Sequence, residues 1–479
     1  MAFIASISSK NEWDVGKDKA FTKPLTLGKY LSSRSQSPSA VRTTDPTPPA
    51  RRSRPGMFSA LTTRNFRIYV AGQLVSNVGS WTQRIAQDWL VLTLTGSATA
   101  VGVTTALQFL PTILLGPLGG VLADRHSKRR ILLISQSVMG LCAATLAVLV
   151  LTGGVQVWHI YLLATLLGTA SAVDNPTRQS FANDLVGPDL LRNAISLTSA
   201  VFQLGALVGP AISGVLISTV GIGAWFVVNA VSFAGALISL AFIRPASLPG
   251  TVRAAAQPGQ VRSAVSYLLG RPAMRYPALM AGVFAFFTNS FSVTLASYSS
   301  SVFRTGPSGF ALLTSLLAGG SVIGSLITAQ HGTVRLRGLV AIGGALSLVQ
   351  LVAAAAPSLL TLAVVLPVLG VCAVMFGVSA NATVQLAAGD SIRGRVMGLY
   401  LMVVLGCGCV GGPVVGAIDQ QFGPHAGLLL GGIVSGTVTV LVGLRLATAA
   451  GIDAGPAIRA RVLRAGHAGR WSVVGSGRG

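Results

Sequence analysis

Charge is what this chain has least of, and the shortage falls unevenly. Of 479 residues only 12 are Asp or Glu, against 35 Lys and Arg, and charged residues total 10%. So thin a complement cannot cover a water-facing surface when 51% of residues are hydrophobic, which excludes an ordinary soluble globular protein. Cysteine is also sparse. Cys142, Cys372, Cys407 and Cys409 all fall inside apolar runs, at spacings that frame neither a disulfide scaffold nor a zinc site. The five histidines are scattered, so no metal-ligand set and no Ser/His/Asp grouping can be assembled, and no cofactor is expected. A G-x-x-x-x-G-K-[ST] phosphate loop is missing, which argues against direct drive by ATP. No cleavable signal pattern is visible, so the first apolar span is expected to direct insertion.

What the chain has instead is long apolar runs. A membrane-crossing helix needs about 20 such residues at about 1.5 Å rise each. Read at that length, the sequence predicts spans near 67–93, 99–122, 131–152, 156–174, 194–217 and 222–243. A second set follows near 276–302, 308–330, 338–355, 358–380, 396–417 and 424–447. The cations obey a strict alternation. The two tails and every second joint hold 33 of the 35 Lys and Arg, leaving only Arg84 and Arg304 outside that pattern. Cytoplasmic loops collect Lys and Arg, so both termini are expected inside. The net charge of +23 needs no polyanion, because topology disperses it. The expected partners are the lipid bilayer, protons and a small-molecule substrate, with no nucleic acid, and the expected state is a monomer.

The longest inside joint, 244–275, divides six spans from six, and the halves resemble each other. Gly205-x-x-x-Gly209-Pro210-Ala211-Ile212-Ser213-Gly214 lies in the fifth span and Gly408-x-x-x-Gly412-Pro413-Val414-Val415-Gly416-Ala417 in the eleventh. Ala71-Gly72 and Ala281-Gly282 open the first span of each half. The expected organisation is an all-α membrane protein of about twelve transmembrane helices in two pseudo-symmetric six-helix bundles, 61–243 and 276–447. A cytoplasmic linker, 244–275, joins them, and disordered tails flank them at 1–60 and 448–479. For the basic amino-terminal segment two readings stand: a tail lying on anionic lipid, or sequence upstream of a start at Met57.

The joint after the second span reads Gly120-Val121-Leu122-Ala123-Asp124-Arg125-His126-Ser127-Lys128-Arg129-Arg130. It resembles the loop signature of the major facilitator superfamily, with Ser127 standing where that family usually has Gly. Gly120, Asp124, Arg125, Lys128 and Arg129 are therefore expected to act as a gating loop, Asp124 pairing with the neighbouring cations and with the end of an adjacent span. The glycines at 205, 209 and 214 with Pro210, matched by Gly408, Gly412 and Pro413, are similar to the antiporter motif of that family's exporters. Small residues there allow close helix approach and Pro permits a bend; generic helix packing is the alternative reading. Asn65-Phe66-Arg67, Ala86-Gln87-Asp88-Trp89-Leu90, Asp174-Asn175-Pro176-Thr177-Arg178-Gln179 and Arg393-Gly394-Arg395-Val396-Met397-Gly398 are similar to one bacterial branch. That branch comprises enterobactin-exporter-like and macrolide-efflux-like proteins, called transmembrane secretion effectors. The resemblance implies the major facilitator fold, a bacterial cytoplasmic membrane location and proton-driven export of a small organic molecule.

Gln73, Asn77, Ser80, Arg84 and Asp88 step by four, three, four and four, one stripe of a helix. Charges at that depth are costly and normally face a bundle interior or a water-filled cavity. The resemblance implies that this stripe, with Asn289 opposite it in the seventh span, lines the substrate path. Asp88 is the candidate titrating group and Arg84 its i,i+4 partner, with a static pair as the competing reading. That superfamily's fourth-span pattern, an Arg before x-x-x-Gly, is absent, since Ala164-Thr165-Leu166-Leu167-Gly168 occupies that place. An uptake carrier of the same fold, a non-transporting sensor or assembly protein, and a membrane-embedded enzyme remain as alternatives.

Overall fold

The computed structural model describes residues 58–186, 190–219, 221–243, 260–331, 336–389 and 392–449. The expected tails, most of the inter-bundle linker and any contact of Asp124's side chain lie outside the described residues. All regular structure described is helical. In lipid each backbone N–H and C=O must be satisfied within its own segment, and the helix achieves that.

The first half comprises α1 (Arg64–Thr95), α2 (Ala98–Arg125), α3 (Lys128–Leu151), α4 (Val157–Asp184), α5 (Leu191–Thr219) and α6 (Ile222–Phe242). A short helix, α7 (Gln260–Gly270), precedes the second half, where the sequence predicts only a loop. There follow α8 (Pro272–Thr288), α9 (Phe291–Ser297), α10 (Gly306–His331), α11 (Leu336–Ala354), α12 (Leu359–Ala387), α13 (Arg393–Phe422) and α14 (Pro424–Ala449). Eleven described segments are long and apolar enough to cross a bilayer. α1 is the twelfth long rod. At 32 residues it has ample length, but its amides, hydroxyls and four charges lower its hydropathy.

Two predicted spans differ from the structure. The fourth does not stop at residue 174; α4 continues to Asp184, so Asp174 and Arg178 are helical rather than part of a joint. The seventh is not one rod. It breaks after Thr288, resumes as α9 and ends in a π-helical turn, Tyr298–Val302. At the break Ser290 donates its hydroxyl to the Phe286 carbonyl at 3.0 Å, and that carbonyl also faces Gly411 of α13. A side-chain hydroxyl competing for a helix carbonyl favours such an interruption.

The halves repeat one packing scheme. α1 packs on α5 and α6, α2 on α4 and α3 on α6; in the second half the matching neighbours are α8 with α13 and α14, α10 with α12, and α11 with α14. Between halves, α2 meets α13 and α5 meets α10.

The α2–α13 seam is closed at its outer end. There Gln420 accepts hydrogen bonds from the hydroxyls of Ser97 (2.6 Å) and Thr99 (2.8 Å). A Cβ on Gly102 would run into the Gly412 carbonyl, and one on Gly416 would meet Ala98. Cys409 reaches the Ala106 carbonyl at 3.4 Å. Further inward the same stripes continue through Gly116 and Gly120 on α2 and Gly398 on α13, where a Cβ would meet nothing. The described seam is thus in close contact at its outer end, and these three glycines make no such contact.

Candidate transport site

A cavity of about 560 Å³ lies between the halves. From the first half it is lined by Trp81 and Arg84 of α1, Phe109 of α2, and Phe202 and Gln203 of α5. Asn289 and Ser292 from the broken seventh span face them, with Phe376 of α12 and Tyr400 of α13. Above it, toward the outer end, Trp89 stacks on Phe310 with centroids 6.0 Å apart.

Arg84 is the only charged residue in the described lining. Its guanidinium carbon lies 4.9 Å from the Trp81 ring centroid and 5.0 Å from that of Phe109. Among the described residues it forms no ion pair or hydrogen bond. It also borders a smaller cavity of about 90 Å³ inside the first bundle, lined by Ser80, Gln83, Gln87, Gln108 and Asn229. That volume exceeds the roughly 10–15 Å³ one water needs, and the walls are polar enough to hold it.

Asp88 and Arg84 form no ion-pair contact among the described residues, contrary to the expectation from their i,i+4 spacing, although each still feels the other's charge. Their stripe is shared, but the aromatic pair holds the guanidinium at the cavity while Asp88 points into the packing against α9. Asp88 is 1% exposed, and neither carboxylate oxygen has a hydrogen-bond partner among the described residues. Ser292 approaches it without reaching hydrogen-bonding geometry.

The rest of the stripe divides. Gln73 is buried and accepts from Arg178 of α4, away from the large cavity. Asn77 packs against Gly205 of α5. Ser80 lines the small cavity. Asn289 lines the large one and presses on Gly408. The glycines of the fifth span serve contacts within their own half: Gly205 and Gly209 make room for Trp81, with Thr82 also at Gly209. Pro210 lines the cavity. In the eleventh span Gly412 and Pro413 instead abut Gly102 across the seam. Gly214's surroundings lie outside the described residues.

At the inner surface, Lys128 pairs with Asp184 at the end of α4, at 2.5 Å. Arg129 donates to the Leu240 and Ala241 carbonyls at 2.9 and 3.0 Å, closing the last turn of α6. Cations are favourable at such helix ends. Both anchor the loop within its own half. Arg125 is exposed.

Two buried carboxylates went unremarked as sites in the sequence. Asp174, fully buried, accepts from Ser135 (2.7 Å), Gln136 (3.0 Å) and the fork of Arg178. Asp419 of α13, 4% exposed, accepts from Thr294 of α9 at 2.7 Å. Near it Tyr298 meets His425 at 2.9 Å. The available signal was scarcity, since only a dozen acids exist and each one inside an apolar span is notable.

The fold and the cavity between its halves describe a helical membrane transporter with two repeated bundles. Comparison with known proteins defines it further: the family profile of transmembrane secretion effectors matches residues 55–458, and the chain belongs to that family. It is 25% identical over 371 residues to the multidrug efflux pump Tap of Mycolicibacterium fortuitum, covering 74% of this chain and 89% of Tap. It is 31% identical over 157 residues to the staphyloferrin A transporter of Staphylococcus aureus, covering 33% of this chain and 40% of the relative. Macrolide efflux protein A of Streptococcus pyogenes is 24% identical over 36% of this chain and 43% of its own length. Among solved structures, the nucleoside transporter NupG superposes with a TM-score of 0.63 at 14% identity, over 79% of this chain and 98% of NupG. A bacterial homologue of the lysosomal transporter Spinster, inward-facing and occupied, gives 0.61 at 14% identity, over 80% and 95%. These structural likenesses concern the fold. The chain is a multi-pass membrane transporter of the major facilitator type, not an enzyme.

Proposed function

We propose that this protein exports a small organic molecule across a bacterial cytoplasmic membrane in exchange for protons, by alternating access. The observation that carries the reading is Asp88. A carboxyl buried in a transmembrane helix without a hydrogen-bond partner among the described residues is expensive to keep, and it stands one turn from the only charge in the described lining of the central cavity. A group that no ion pair fixes is free to gain and lose a proton as the cavity changes sides. The joined outer end of the α2–α13 seam supports one of the two states such a cycle needs. Names of relatives, an efflux pump over most of its length and a macrolide efflux protein in part, support the outward direction.

The driving force is adequate. One proton entering through 100 mV yields about 2.3 kcal/mol, and a tenfold concentration ratio needs about 1.4 kcal/mol.

Everted vesicles containing the protein and energised with lactate test the proposal. Three fluorescent probes serve as cargo: anilinonaphthalene sulfonate, Nile red and ethidium. Ionophore-sensitive accumulation of any of them, lost in Asp88→Asn, is the expected result. Accumulation only by right-side-out vesicles would establish uptake instead, and ionophore-insensitive flux would remove the proton.

A further inference from the structure

We infer that the central cavity selects molecules with an anionic group on an aromatic or otherwise flat apolar body, held by Arg84, and disfavours lipophilic cations. The inference deepens the transport reading above and rests on it for the cavity's role. It stands on the character of one residue and its surroundings.

Burying a cation requires compensation. Beside the Coulombic pull of Asp88 one turn away, Arg84 receives it from ring faces: the guanidinium lies against Trp81 and Phe109, each about 5 Å from the centroid. Phe202 meets the Trp81 ring edge-on at 5.5 Å and extends the collar. Cation–π contact stabilises the charge without consuming N–H donors. A guanidinium has five such donors in a planar fork, and the described residues accept from none of them. Asp88, the acid one turn away, is not part of the described lining of either cavity. A ligand in the large cavity therefore meets a cation with open donors and no carboxylate.

The remaining polar side chains in the described lining, among them Gln203, Asn289, Ser292 and Tyr400, are neutral. They hydrogen-bond equally well to ligands of any charge, so only Arg84 discriminates by sign. The Phe and Trp walls provide the faces on which a flat ring stacks. A carboxylate or sulfonate beside such a ring satisfies both features with one bidentate contact. An ammonium in the same position faces Arg84 with like charge and finds no counter-ion in the lining.

The test uses the full chain in lipid nanodiscs, without any gradient, and three probes sharing one body: naphthoate, naphthylmethanol and naphthylmethylammonium. Binding is measured by equilibrium dialysis. Naphthoate is expected to bind about 10–100-fold more tightly than the ammonium, the range of a hydrogen-bonded charge contact worth about 1.5–3 kcal/mol. Arg84→Ala is expected to abolish the preference, and Arg84→Lys to keep its sign with a smaller ratio. Thermal unfolding of both variants reports whether they fold, and Phe109→Leu provides a milder perturbation that should shrink the ratio. Equal or tighter ammonium binding, a preference unchanged in Arg84→Ala, or no naphthoate binding at millimolar concentration would overturn the inference. Because no flux is measured, these outcomes are separate from failure of proton-driven export in the vesicle assay.

Discussion

Asp88 and Asp174 are both buried carboxylates in the first bundle, and they could hardly be treated more differently by their neighbours. Asp174 accepts from a serine, a glutamine and both edges of an arginine fork, and Arg178 in turn reaches Gln73 of α1. Ser76 and Tyr69 extend the network to Gln136 and to the Arg178 carbonyl. α1, α3 and α4 are thereby fastened together at their inner halves. Asp88 has no such partner. A satisfied buried charge is scaffold, since every change of state would have to break several bonds at once. An unsatisfied one is a poor scaffold, and its cost is understandable where its proton is meant to move.

The contrast predicts opposite consequences for mutation. The largest effect is expected at the satisfied site. Asp174→Ala leaves the Arg178 fork, Ser135 and Gln136 without their acceptor, and removing one partner of a buried pair costs about 3–5 kcal/mol. Thermal unfolding of the detergent-solubilised protein should show a large drop, with poor recovery of folded material. A melting temperature equal to the parent's would mean the cluster is not structural.

A second and smaller effect concerns the two ends of the α2–α13 seam. Gly412→Leu places a side chain where the Gly102 backbone lies, and overpacking of this kind costs about 1–3 kcal/mol. Here the strain falls only on the state with the outer seam joined. In a background lacking the four native cysteines, a Ser97→Cys, Gln420→Cys pair should be joined by a short thiol-reactive bifunctional reagent, as the parent side chains meet with Gln420 at full reach, 2.6 Å from Ser97. Adding Gly412→Leu should suppress that crosslink severalfold. Leucine at Gly398, where a Cβ meets nothing, should leave it unchanged. Equal loss from both positions would remove the distinction between the two ends.

Much of this was legible in the sequence for a simple reason: span length, loop charge and repeat spacing are one-dimensional quantities. The twelve rods followed from apolar runs near the length a bilayer demands. Partnering is not one-dimensional. The Asp174–Arg178 pair looks like the start of a polar joint, because a count of charges cannot see that two of them neutralise each other across one helical turn. Arg84 and Asp88 fail in the opposite way. Their spacing permits an ion pair, but two aromatic rings, one of them from α2, compete for the guanidinium. The break after Thr288 is not legible because Asn289 and Ser290 are two among several neutral polar residues of the stretch, Thr288, Ser292 and Thr294 included, and such residues also occur in unbroken spans. Asp419 gives no pairing signal of its own, because its partner, Thr294, is 125 residues away in sequence.

The smallest expected change in stability sharpens the comparison most. Asp88→Asn keeps the shape of the side chain and breaks no hydrogen bond, since among the described residues there is none to break. Surface-like indifference, within about 0.5 kcal/mol, is expected for a substitution that removes no named interaction. An amide also buries more readily than a carboxylate, so a slight gain fits equally well. The measurement is thermal unfolding beside the parent and Asp174→Asn under one condition. Comparable losses in the two variants would show that Asp88 has a structural partner after all, and would return it to the class of Asp174. Parent-like stability together with lost ionophore-sensitive flux would separate folding from transport at a single carboxyl, which is what an unpartnered, proton-exchanging group requires.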